Sequence, residues 1–224
     1  MRTALWFGVA AVIVAAIFLS PLELLATVYL SSAFVAKHLL LNLIVPFFLV
    51  LGLPQGVAKH LRVPALLAWI AGAASLVAWY VPSLYNAALR DPRVEALQVV
   101  SWLLGGMLLY LPLYNPARPN RLKAVPQSII YLFALAVIAS VVGLRLATML
   151  PGPYGSYLAP KDPLHILDIL QNRYHMNPED DQQTAGFLFW IGSCLVFLWS
   201  VMIMFYRMYI ADRDAAKLAV GERL

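Results

Sequence analysis

Lys37 and His38 are adjacent within residues 33–54, AFVAKHLLLNLIVPFFLVLGLP. An ammonium and an imidazole in so apolar a run need water, a carboxylate or a hydrogen-bonding partner, because an unpaired charge in hydrocarbon is costly. His38, Asn42 and Pro46 follow at intervals of four and share one helical stripe. Pro46 has no N–H, so the Asn42 carbonyl loses its helical partner and a kink is predicted beside the polar pair. His38 is the candidate metal ligand, but a metal site needs several convergent donors. A lone histidine in a membrane segment more often makes a hydrogen bond.

The remaining donors are scattered. His165 and the pair His175-Met176 lie ten residues apart, which is no recognised ligand spacing, and read as exposed loop residues. Met202, Met204 and Met208 read as packing residues. Cys194 is the one cysteine, so there is no disulfide framework and no Cys pair for metal. No nucleophile–base pair occurs at helical spacing, and the chain reads as a non-enzyme.

The elements that must position these residues are membrane helices. The 224 residues are 62% hydrophobic and 12% charged, too few charges to cover a soluble domain. Uncharged stretches near or above the ~20 residues that cross a bilayer recur along the chain. The expected fold class is all-α: a polytopic helical membrane bundle, one integral domain over residues 1–224. Six spans are placed near 3–20, 30–53, 63–85, 95–114, 125–149 and 183–208, with an outer loop at 151–181. The first is read as a retained span, being long for a signal peptide and followed by no small-x-small cleavage site. Within the loop, DPLHILDILQNRYHM suggests a short helix along the membrane surface.

Charge fixes an expected orientation. Arg2, then Lys59 and Arg62, then Arg118, Arg121 and Lys123, then Arg207, Arg213 and Lys217 all fall on one side. The other side carries Glu23, the balanced set Arg90, Asp91, Arg93 and Glu95, and the acids Asp162, Asp168, Glu179, Asp180 and Asp181. Both termini are therefore expected in the cytoplasm, and the long loop outside a cell inner (plasma) membrane. The net charge of +5 is a topology signal, with no hint of nucleic-acid binding.

Depth gathers the polar residues. Counting ~20 residues back from Leu53 puts the outer boundary of the second span near Phe34, with Lys37 and His38 about one turn below it. Tyr80, Glu95, Gln98, Arg145, Asp181 and Gln182 fall at the same level on other helices, with Asn42 one turn beneath His38. This outer polar layer is either a self-satisfying collar or an outward-facing contact site for a partner. Lys37 is expected to pair with Glu95 or Asp181. A single Lys–His pair near one surface, with no polar path across, argues against a transporter.

Four segments carry a family resemblance. SSAFVAKHLLLNLIVPFFLVLGLP resembles the second-span signature of the polytopic CtaG-type cytochrome c oxidase assembly family, H-x-x-x-H-L-L-L, then proline, then L-G-x-P. WYVPSLYNAAL resembles its W-H-x-P-x-L-Y-x-A-A, and VVGLRLA with PYGSY resembles the end of its fifth shared helix. DQQTAGFLFW is similar to its D-Q-x-x-A-G-x-x-x-W, in the same order along the chain. The resemblance implies a non-enzymatic role in cytochrome c oxidase biogenesis, with haem–copper oxidase subunits and membrane lipid as partners. It also implies copper delivery from the outer side through clustered histidines. Here Phe34, Tyr80 and Val99 stand where the family has histidine, and His38 alone matches. The expectation is an assembly scaffold with a degraded copper site, holding no cofactor tightly and copper only weakly. The alternative is a permanent accessory subunit of a haem–copper oxidase or related respiratory complex that binds no metal.

Overall fold

Proline opens several of the helices. Pro21, Pro82, Pro92 and Pro178 each sit in a first turn, where the missing N–H costs nothing and the fixed φ suits the helix. The computed structural model describes residues 2–117, 125–149, 162 and 164–221. All the regular structure among the described residues is helical, with no strand. The main helices are α1 (Arg2–Leu19), α2 (Pro21–Tyr29), α3 (Ser31–Gly52), α4 (Ala65–Tyr80), α5 (Pro82–Arg90), α6 (Pro92–Tyr114), α7 (Val125–Thr148) and α8 (Pro178–Gly221).

Four stretches are each long and apolar enough to cross a bilayer: α3, α6, residues Pro126–Thr148 of α7 and Pro178–Ile210 of α8. Two bent pairs, α1 with α2 at 58° and α4 with α5 at 73°, bring the number to six if each pair is one span. The stretch expected as a single span at 63–85 is thus broken. Val81 is extended (φ −71°, ψ 123°), as the residue before a proline must be, so the chain turns after Tyr80. The last helix is also longer than the expected 183–208. Its start is drawn back to Pro178 because the Asn177 side chain accepts from Asp180 N at 2.8 Å, an N-cap. Arg118, Arg121, Lys123 and the loop start PGPYGSYLAP lie outside the described residues, as do the side chains of Arg207 and Lys217.

The centre of the bundle is α3, which packs against α1, α6 and α8, while α7 runs along α8 and α4 along α6. Of its most apolar stretch 61% is buried, against 28% for α7 and α8. Its backbone changes pitch: Leu40–Ile44 form a π-turn, closed by Val45 N–H bonding the Leu40 carbonyl five residues back. A kink was expected at Pro46; α3 instead continues through it to Gly52, and the irregularity is this π-turn just before the proline. At the other end of the bundle Asn115 Nδ2 donates to the Ala58 carbonyl at 3.0 Å, tying the end of α6 to the turn after α3.

A short helical stretch, residues 167–173, lies where a short surface helix was expected, with Ile169–Arg173 wound as a π-turn. It is held by Asp162, whose carboxylate accepts from Ile166 N (3.0 Å), Leu167 N (3.3 Å) and the Tyr29 hydroxyl (2.7 Å). Partial desolvation works to raise its pKa, but these donors outweigh it and hold the carboxyl below its ordinary range.

Candidate functional site: a polar cluster at one end of the bundle

Lys37 is 2% exposed, and its Nζ lies 2.7 Å from Glu23 Oε1 and 2.8 Å from Glu95 Oε1. The three groups come from α3, α2 and α6, so one ammonium ties two helices to the central one. Phe18 lies across it, with the ring centroid 5.4 Å from Nζ, a cation–π distance. Glu95 is one of the two partners expected from depth. Glu23 was not expected, although the sequence carried a signal: Ser20-Pro21 is a helix start. The Ser20 hydroxyl accepts from Leu22 N at 3.3 Å, and α2 then folds Glu23 back over α3.

Asp181, the other expected partner, is used elsewhere. Its carboxylate accepts from Ser31 N at 2.6 Å, from Ser32 N at 3.3 Å and from the Ser32 hydroxyl. It therefore caps the N-terminus of α3 from across the bundle, where the free amides and the helix dipole favour an anion. Gln182 does the converse for α7, donating to the terminal carbonyls of Leu146 (3.0 Å) and Met149 (2.6 Å). Adjacent residues of α8 thus hold the ends of two neighbouring helices. Ser31 and Ser32 entered no sequence-level site, because their role is to offer backbone amides.

One turn deeper, His38 is fully buried, with Nδ1 2.8 Å from the Tyr80 hydroxyl. Its ring stacks on Trp102 at 4.5 Å and lies 5.8 Å from Phe189. Phe34 completes the enclosure, within 4.4 Å of Tyr85 and 5.6 Å of Trp102, centroid to centroid. Below this aromatic box Asn42 Nδ2 donates to Ser75 Oγ at 3.0 Å, and Ser75 Oγ donates to the Gly72 carbonyl at 2.9 Å. Gln98 is buried on α6, and its backbone carbonyl accepts from Ser101 Oγ at 2.7 Å. Arg145, expected in the same layer, is exposed on α7 and joins none of these contacts.

The freed Asn42 carbonyl meets α6. A Cβ on Gly106 would overlap that oxygen and come within 2.6 Å of Pro46 Cγ. The two backbones can approach this closely only because the residue is glycine, and the contact is of the Cα–H···O=C kind. A second close approach joins α7 to α8, where a Cβ on Gly186 would overlap the Ala147 backbone.

The donor set does not suit a copper ion. The His38 Nε2 has no protein partner, so one imidazole nitrogen is open, but it sits among aromatic rings. Among the described residues no three His, Cys, Asp or Glu side chains converge as a metal site would require. Phe34 and Tyr80, at positions where the resemblance implies histidine, are instead walls of the box around His38, with ring centroids 6.2 Å apart. Val99 packs at the edge of the same core. His165 and His175 share one backbone feature, a positive φ of 54° and 53°, which His tolerates better than most residues.

The geometry therefore describes an ion triad around a buried ammonium, a cap and an aromatic box that pin α3 to its neighbours, and a second cap that holds α7 to α8. Comparison with known proteins adds the family. The family described as cytochrome c oxidase caa3 assembly factor (Caa3_CtaG) matches residues 1–70 and 59–211. No curated protein and no solved structure matches. Since the two matched segments together run over nearly the whole chain, this integral membrane protein belongs to the Caa3_CtaG family of cytochrome c oxidase assembly factors.

Proposed function

We propose that the chain is a non-enzymatic scaffold of cytochrome c oxidase biogenesis that meets oxidase subunits at its polar end and holds copper at most weakly. The supporting observation is the filled aromatic box. The helices of an assembly factor are kept, while the space around His38 is closed by Phe34, Tyr80 and Trp102. Such a site can bind and orient helices but offers a metal one nitrogen. Purification of a tagged chain in mild detergent tests this reading. Oxidase subunits should accompany it in sub-stoichiometric, immature form, and its loss should lower the amount of assembled oxidase. Stoichiometric recovery with the mature enzyme would instead assign it as a permanent accessory subunit.

The proposed orientation places both termini and the Arg121 connection in the cytoplasm of a plasma-membrane protein, with residues 151–181 outside, following the Lys/Arg bias. In a Cys194→Ser background, Leu170→Cys should react with an impermeant maleimide in intact cells and Arg121→Cys should not. The reverse pattern overturns the orientation.

Copper provides a further test. Cu(I) prefers thiolate, thioether or imidazole donors, and a neutral phenol at position 80 is a poor replacement. The wild-type protein should compete with a chromophoric Cu(I) chelator no better than its His38→Ala variant. Phe34→His restores an i, i+4 imidazole pair. Tyr80→His adds a third ring in a place where the side chain already lies 5.3 Å from His38, centroid to centroid. The double variant should gain Cu(I) affinity by at least about tenfold. Strong competition by the wild type would mean that other donors, His165, His175 and Met176 first, hold the metal.

A further inference from the structure

Arg145 is the polar-layer residue that the cluster leaves unused. It lies in the last turn of α7, where a cation complements the helix dipole, and among the described residues its Nε meets Met149 Sδ, a weak acceptor, at 3.4 Å. No carboxylate pairs with it among the described residues, whose two ion pairs both belong to Lys37. Glu179 and Asp180, at the start of α8, make no ion pair with it, and residues 150–161, LPGPYGSYLAPK, contain no acid. Asp212, Asp214 and Glu222 come 31 or more residues after Asp181, on the order of 45 Å further along α8 or beyond its end.

The guanidinium borders a groove of about 310 Å³, opened by the bend between α4 and α5 and lined by Val77, Tyr80, Pro82, Val142 and Leu146. From its edge an apolar stripe continues along α7 through Leu144, Val141, Val137, Phe133 and Ile130, all exposed. From Ile130 to Leu144 the helix rises roughly 21 Å, at ~1.5 Å per residue. A lone cation at one end of a long apolar track is complementary to a molecule with an anionic head and a hydrocarbon tail.

We propose that this groove is a binding site for an anionic phospholipid, with phosphate oxygens on the Arg145 guanidinium and an acyl chain against the α7 stripe. The fork of a guanidinium matches phosphate with two parallel hydrogen bonds, and basic pockets between membrane helices are suited to acidic headgroups. The apolar track favours an amphiphile over a soluble anion, and also over an isolated carboxylate of a partner protein. The site rests on residues outside the Lys37 cluster and is independent of the assembly reading.

Native mass spectrometry of the full chain in mild detergent tests it, with phosphatidylglycerol and phosphatidylcholine of matched acyl chains as probes. One phosphatidylglycerol should be retained at least about tenfold more strongly than phosphatidylcholine. Arg145→Gln should abolish that preference and Arg145→Lys should keep part of it. Arg93→Gln, which removes an exposed arginine on α6, should leave it unchanged. Val142→Trp, which fills the groove and keeps the charge, should reduce retention of the lipid. Equal retention of the two lipids by the wild type, or an undiminished preference in Arg145→Gln, overturns the proposal. So does equal displacement by soluble glycerol 3-phosphate, an outcome read on the wild-type protein even if a variant fails to fold.

Discussion

Lys37→Met is expected to destabilise the protein by about 3 kcal/mol, the lower end of the range for breaking a buried ion pair from one side. The ammonium is 2% exposed, and its loss leaves Glu23 and Glu95 facing each other without a cation. The lower end applies because the two carboxylates are 25% and 29% exposed, so water relieves part of the penalty. Neutralising either acid in the Lys37→Met background should recover part of the loss: Glu23→Gln and Glu95→Gln are each expected to rescue, and Asp181→Asn is not. Asp181 serves the Ser31 and Ser32 amides, so Asp181→Asn should instead weaken the start of α3 on its own. Thermal unfolding in mild detergent across the double-mutant cycles measures these terms. Rescue by Asp181→Asn alone would show the triad to be wrongly assigned.

Gly106→Ala is expected to cost at least about 3 kcal/mol, the top of the usual range for overpacking. The usual relief, rotation of a flexible neighbour, is missing here. The obstacle is the Asn42 carbonyl, part of the backbone, backed by the ring of Pro46. The two helices must separate along their length, which loosens the contact between Asn42 and Ser75 one layer away. Gly8→Ala is the control: nothing lies within 4 Å of the added methyl, and alanine is the better helix former, so that variant should be neutral or slightly stabilised. Matching melting curves for Gly106→Ala and the wild type would mean that α3 and α6 do not approach as described.

The sequence by itself determined the all-helical membrane class. Hydrocarbon forces every backbone group into local hydrogen bonds, and ~20 apolar residues per crossing is a local property of the chain. It also marked the irregular backbone of α3, since Pro46 removes a donor wherever it is placed, and it named Glu95 as a partner of Lys37. The break at Val81 was present in the WYVPSLY motif too, but the apolar run through it read as one span. Which polar group meets which was decided only in three dimensions. Depth is a count along each helix, whereas partnership depends on each helix's rotation about its own axis and on which helices are neighbours. A helix as apolar all round as α3 or α8 carries little record of that rotation. Glu23 reaches Lys37 because α2 bends 58° away from α1; Asp181 reaches Ser31 because α8 starts beside α3; and Arg145 is left facing a groove because the bend between α4 and α5 opens one. Each outcome rests on packing between segments far apart in the chain, where side-chain volume and close glycine contacts set the geometry.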